Sequence, residues 1–246
     1  MAETVARPVT IRVPGWFQGP TGTGQGGWTS ARLAAAVGQR VTVRLRAPVP
    51  LDVDLTVKGS AAEGWRCRAG DTVVLEAAPW TPDVADTAPV TVAEAAAARA
   101  RFPVAAQDHP VPRCFSCGLQ PDGMGVHAGP LDEGHGSAAR YATDWTVPDW
   151  SARGDGTADP AVLWAALDCT AAWFVACHPH RRRSVTAQYA VEVLRPVAPG
   201  ERLALVSWDG DWPGGWDGRK RGAASAAFDG DGAVVARARS FWVALD

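Results

Sequence analysis

The chain has 246 residues, 24 Lys and Arg against 26 Asp and Glu, five Cys, and 47% of its residues from the hydrophobic set. That length suits one large domain or two of about 120 residues, and a net charge of -2 lacks the basic excess that drives nucleic-acid binding. No uninterrupted apolar stretch approaches the roughly 18 residues of a membrane span, the start has no apolar signal core, and five scattered Cys make no disulfide framework, so a cytoplasmic protein is expected.

In chain order, the first predicted element is a helix from Gln25-Gly26-Gly27 to Val37, where good helix formers follow a glycine pair and Gly38 stops the run. Period-two alternation then predicts strands over residues 40–46, 51–57, 64–68 and 72–77, half-buried as such patterns usually are. Residues 79–112 read as a connector: they open Pro/Asp-rich, contain an Ala-rich segment predicted as a short helix over 92–100, and end in Asp108-His-Pro-Val-Pro112. A boundary near residue 108 gives units of 1–108, with connector 79–108, and 109–246. The second helix opens with Asp159 as N-cap and Pro160 at the first helical position and runs to Cys177. It is apolar nearly all round, so it should be buried. Strands follow over residues 184–194, 201–208, 219–228 and 233–243, the last two joined by the turn Asp229-Gly230-Asp231-Gly232. A glycine- and proline-rich loop, a helix and a β-rich run therefore occur twice.

A long buried helix cradled by a curved antiparallel sheet, present twice, resembles the double hotdog arrangement of the hotdog-fold acyl-CoA thioesterase superfamily. Residues 159–173, with Leu167-Asp168 mid-helix, look like that family's central helix, in which an acid follows nine residues after a His-Gly-Gly. Gln25-Gly26-Gly27 is similar to the His-Gly-Gly with Gln for His. Residues 186–201 are similar to the strand and turn after the helix, and Cys114-Phe-Ser-Cys-Gly118 with Met124-Gly125 resembles a loop ahead of many such domains. The resemblance implies an α+β fold and thioester hydrolysis.

Such hydrolysis needs hydrogen-bond donors aimed at the developing oxyanion and a carboxylate that attacks or activates water. A backbone N–H at a helix N-terminus is such a donor. Gly26, supported by Gly27, occupies that position in the first half, and Asp168 is the carboxylate in the second. Nine residues beyond Gln25 the first half has Ala34, and the second half has Asp159-Pro160-Ala161 for the His-Gly-Gly. Proline has no N–H. In the family the site lies between paired units, so both losses fall in one site and the other, Gly26 with Asp168, is whole. Thr186 matches a residue that orients water in relatives, and Gln18 one that helps bind the thioester carbonyl. Each of these residues also has a plain structural alternative: Asp168 as a buried bonded carboxylate, the glycines as helix-packing positions, Thr186 as a β-branched strand residue.

For the substrate, Trp28 and Trp164 are candidates to line an acyl tunnel, and Arg181, Arg182 and Arg183 to meet CoA phosphates. His109, Cys114, Cys117 and His127 contain zinc-ligand types, but a single Cys-x-x-Cys is not diagnostic, and no metal or other cofactor is expected. The expected partner is acyl-CoA or a related thioester, with the chain acting alone or as a homo-oligomer. Two other readings stay open: a non-catalytic acyl-CoA binding protein, and an enoyl-CoA hydratase-like enzyme, which would want a His facing the acid.

Overall fold

The computed structural model describes residues 9–132, 139–178, 183–210 and 218–245. The first half runs through β1 (Val9–Arg12), α1 (Gly26–Val37), β2 (Val41–Leu45), β3 (Asp54–Ser60), β4 (Gly64–Ala69) and β5 (Thr72–Pro79). After α2 (Val92–Arg99) and the two-residue β6 (Gly129–Pro130), the second half runs through β7 (Tyr141–Thr146), α3 (Pro160–Cys177), β8 (Ser184–Val193), β9 (Arg202–Asp209), β10 (Lys220–Phe228) and β11 (Val234–Ala244).

The eleven strands form one sheet in the order β1-β3-β4-β5-β2-β8-β11-β10-β9-β7-β6. Outward from its centre each half repeats one plan: the strand after the helix, then the last, second-last and third-last strands of that half, and then the strand before the helix, with the short β6 added beyond β7 in the second half. The halves join where Val43 of β2 faces Tyr189 of β8 and Arg44 faces Gln188, antiparallel, with Arg44 Nε donating to Gln188 Oε1 at 3.1 Å. A two-fold relation across that pair exchanges Val43 with Tyr189, both of them inward-facing core residues, and because Ala187 is an extra, bulged residue between Gln188 and Thr186 in β8, Val41 is the equivalent of Thr186.

Both central helices start and stop for local reasons. The Gln25 side chain accepts the Trp28 N–H, and Gly38, at φ 70°, returns its N–H to Ala34 O. In α3 Asp159 accepts the Ala161 N–H and Pro160 occupies the first turn. Fourteen of the eighteen α3 residues are buried, which requires cover on every side. The inner face of the sheet, α1 and the loop of residues 114–126 supply it together. By length and composition α3 would also pass for a membrane span, but it is interrupted by Asp168 and its apolar surface is buried inside the chain's own core. Each fully buried Leu or Phe on it contributes about 2 kcal/mol.

Three strands, β1, β7 and the two-residue β6 that pairs with β7, were not anticipated. β1 and β7 are equivalent, each preceding the central helix of its half and pairing with β3 and β9. The expectation of half-buried strands also fails for β9 and β10, where Leu203–Ser207 and Arg221–Phe228 are buried continuously. The cause is α2. The capping box of Thr91 and Glu94 starts this helix, and its Ala95 and Ala98 pack on Ala142, Ala204, Val206, Ala226 and Phe228, covering the outer face. The connector helix thus packs against strands of the second half although it precedes residue 108.

Candidate functional site

α1 and α3 run in opposite directions across the centre. Gly27 lies beside Trp164 and Asp168, while Arg32 Nη1 reaches Asp159 Oδ2 at 3.0 Å. The close crossing needs glycine. A Cβ on Gly27 would stand 2.5 Å from Trp164 O and 2.8 Å from Asp168 Cβ. One on Gly26 would stand 3.1 Å from Asp168 Oδ2 and 3.4 Å from Thr186 Oγ1.

At this crossing the Asp168 carboxylate is almost fully buried, at 4% exposure. Its Oδ2 accepts from Gln25 Nε2 at 2.7 Å and from the Gly27 N–H at 3.0 Å. Its Oδ1 accepts from Thr186 Oγ1 at 3.0 Å. Burial pushes the carboxyl up to about 7, while the Thr186 hydroxyl, the Gly27 amide and Gln25 pull it back. Four of the residues singled out from sequence, Gly26, Gly27, Asp168 and Thr186, therefore meet at one place, drawn from α1, α3 and β8. Gln25 joins them. Its Oε1 caps α1 at Trp28 N, 2.6 Å, which aims its Nε2 at the carboxylate. Its position ahead of the glycine pair was the available signal for it.

The remaining candidates fall elsewhere. Gln18 bridges Gly24 through its backbone, and its Oε1 meets the Gly22 N–H at 3.5 Å rather than the carboxylate. Trp28 stacks on Phe17 with centroids 3.5 Å apart. It lines a cleft of about 340 Å³ with Phe17, Trp150, Arg12, Arg32 and Arg153. Trp164 is core: its ring lies edge-on to Tyr189, whose hydroxyl donates to Trp164 O at 2.9 Å. Arg183 is exposed, with its carbonyl accepting the Leu245 N–H. Arg181 and Arg182 lie outside the described residues.

Beside the carboxylate sits a second cluster. The sulfurs of Cys114, Cys117 and Cys169 lie within 4.8 Å of one another, all buried, with Cys114 and Cys169 Sγ 3.9 Å apart. Hydrogen bonds from the Cys117 and Cys169 thiols draw Cys114 well below an ordinary thiol. Cys117 and Cys169 are held well above it, the first by bonding to Cys114 and the second by burial. The four residues first grouped by ligand type do not form a set. His109 Nε2 and His127 Nε2 both donate to the Cys117 carbonyl, at 2.7 and 3.0 Å, and His109 Nδ1 accepts the Val111 N–H. The third sulfur comes instead from Cys169 on α3, which no spacing in the sequence could reveal.

No family model and no curated protein matches the sequence. Among solved structures, the chain is similar to the tesB protein of Mycobacterium avium subsp. paratuberculosis, at 15% identity and TM-score 0.62, covering 98% of this chain and 95% of that one. A conserved protein of unknown function with a hot dog fold from Alicyclobacillus acidocaldarius gives the same identity and score, with 99% and 95% covered. Coverage of both halves by single structures, together with the repeated strand order around two central helices, makes this chain a double hotdog protein.

Proposed function

We propose that the chain is an acyl-CoA thioesterase-like hydrolase with a single composite site, built from the α1 N-terminus of one unit and Asp168 of the other. The observation that carries this reading is the meeting of the Asp168 carboxylate with the Gly27 N–H at 3.0 Å and the Thr186 hydroxyl at 3.0 Å. A thioester carbonyl seated at the first turn of α1 would take the Gly26 N–H and the helix dipole at its oxygen. Asp168 would remove a proton from a water held with Thr186 as that water's oxygen attacks the carbonyl carbon. Collapse of the tetrahedral intermediate breaks the C–S bond, leaving the carboxylate product and a thiolate that takes up a proton. Direct attack by Asp168, with the mixed anhydride then hydrolysed, uses the same geometry. The cytoplasm is the proposed location and an acyl-CoA the proposed substrate.

The opposite site has lost each part. Ala34 stands for Asp168, Pro160 for Gly26 and, through the β2–β8 pairing, Val41 for Thr186. The Ala161 N–H, equivalent to that of Gly27, is spent on Asp159 Oδ1 at 3.0 Å.

A panel of acyl-CoA substrates of different chain lengths, assayed by thiol release, tests the reading. Asp168→Asn should lower kcat/KM roughly 10²- to 10⁴-fold. Release that is undiminished in Asp168→Asn would remove the assigned role. Acyl-CoA binding without turnover in the wild type would favour a binding protein.

A further inference from the structure

We infer that Cys114, Cys117 and Cys169 form a three-thiolate site for a thiophilic metal ion, Zn²⁺ or Cu⁺. The Cys-x-x-Cys-Gly loop has the shape such a site needs. Gly118 N–H closes onto Cys114 O at 2.8 Å and Leu119 N–H onto Pro112 O at 2.9 Å. A Cβ on Gly118 would stand 2.3 Å from Cys114 O, so the turn is restricted to glycine. The imidazoles of His109 and His127 fix the Cys117 peptide from outside through its carbonyl. They thereby hold the loop without offering ligands from the nitrogens so engaged.

The third sulfur is delivered by the most rigid element of the fold. Cys169 sits mid-α3, and Ser116 Oγ ties the loop to the same helix at Ala165 O, 3.1 Å. A Zn–S bond of about 2.3 Å puts neighbouring sulfurs of a tetrahedron about 3.8 Å apart. The Cys114–Cys169 separation of 3.9 Å already matches that edge. Thiolate ligands select Zn²⁺ and Cu⁺ over hard cations. Binding exchanges three thiol protons for the ion, with no change of sulfur oxidation state. Cys67 marks the contrast: it is equally buried but alone, and burial simply pushes it up to about 12. Gln25 Nε2 lies 3.5 Å from Cys169 Sγ and 2.7 Å from Asp168 Oδ2, so a metal here would brace the helix turn that presents the carboxylate. The site stands on its own geometry, whatever reaction Asp168 serves.

The test uses the full chain, reduced, stripped with chelator and loaded separately with Zn²⁺ or Cu⁺, then desalted. Metal per chain is read by mass spectrometry, and cysteine protection by alkylation mapping. One ion per chain is expected in the wild type and in Cys67→Ala, with Cys114, Cys117 and Cys169 protected from alkylation and Cys177 not. Cys169→Ser should retain at least roughly tenfold less metal at equal free ion. Whichever of the two ions is retained identifies the native class. A wild-type chain that retains neither, a Cys169→Ser chain that retains it fully, or a metal that protects other cysteines would each overturn the site. If Cys169→Ser does not fold, the wild type decides alone: alkylation under mildly denaturing conditions should label Cys114, Cys117 and Cys169 in the stripped chain and not in the loaded one, and equal labelling would overturn the site.

Discussion

At the scale of single residues, the two glycines of α1 separate into different jobs. At Gly27 an added methyl meets the Trp164 backbone at 2.5 Å, and neither helix can yield without repacking. Gly27→Ala should therefore cost about 1–3 kcal/mol in chemical denaturation. At Gly26 the same methyl meets the ends of the Asp168 and Thr186 side chains at 3.1 and 3.4 Å, which can give slightly. Gly26→Ala should cost less than about 1 kcal/mol and show its effect on kcat instead. Equal stability losses in the two variants would contradict this division. Thr186→Val keeps the strand but removes a bond to a buried carboxylate, so kcat/KM should fall about tenfold and stability by about 1–3 kcal/mol. Much of this site was legible beforehand. Gly26, Asp168 and Thr186 stand in short strings whose chemistry could be stated residue by residue, and the structure brings them together. Gln18 does not join the group around Asp168 because the loop before α1 turns at Gly19–Thr23 and directs its side chain onto the Gly22 N–H. Cys169 was not grouped with the loop cysteines because sequence does not tell which loop faces a helix.

At the scale of elements, α3 is enclosed without wasted backbone polarity. Tyr189, Ser116, Ser225 and Ser207 donate hydroxyls to Trp164 O, Ala165 O, Leu167 O and Thr170 O respectively. These explain the hydroxyls among the alanines of β10 and β9: small side chains let the sheet approach, and the oxygen satisfies itself on the helix. The turns are secured differently. Arg195, just after β8, bonds Glu201 Oε1 at 2.7 Å and Asp229 Oδ2 at 2.9 Å. Asp229 lies below the usual carboxylate range chiefly through the Arg195 hydrogen bond. Burial alone would raise Glu201, but Arg195 and the Ala198 amide more than offset it, and its pKa is lowered overall. Carboxylates depressed in the folded state stabilise it above their unfolded pKa values and lose that contribution as pH falls through the folded ones. Arg195→Ala should cost about 1 kcal/mol at neutral pH, and wild type and variant should converge in melting temperature below about pH 4. A difference that persists unchanged into acid would mean Arg195 acts through packing. The alternating strands were readable because one face was wet. Those of β9 and β10 misled because α2 covers their second face, and coverage is a tertiary fact. The four residues of β1 and the mixed run of β7 are too short and irregular to register as alternation.

At the scale of the whole molecule, the proposed composite site depends on the fusion of two units, which would let two equivalent sites diverge. In a symmetric pair of identical chains, Pro160 and Ala34 would disable both sites at once. Here the two-fold relation sends every loss to one side, where Arg32 now pairs with Asp159 at 3.0 Å beside the Trp28 and Trp150 cleft. The assignment makes a specific demand on a double variant. Returning the carboxylate alone, as Ala34→Asp in an Asp168→Asn background, supplies an acid at the equivalent position but leaves Pro160 without an N–H, Ala161 bound to Asp159 and Val41 without a hydroxyl. Thiol release should stay at the Asp168→Asn level. If Ala34→Asp restored activity, donor and carboxylate would be working within some other pairing, and the composite site across the two units would be wrong. Silence of the double variant alone could reflect misfolding, so the same substitution in the wild-type background provides the control. Ala34→Asp there should keep kcat/KM within about twofold of the parent, because the proposed site, Asp168 with the α1 N-terminus, is left untouched.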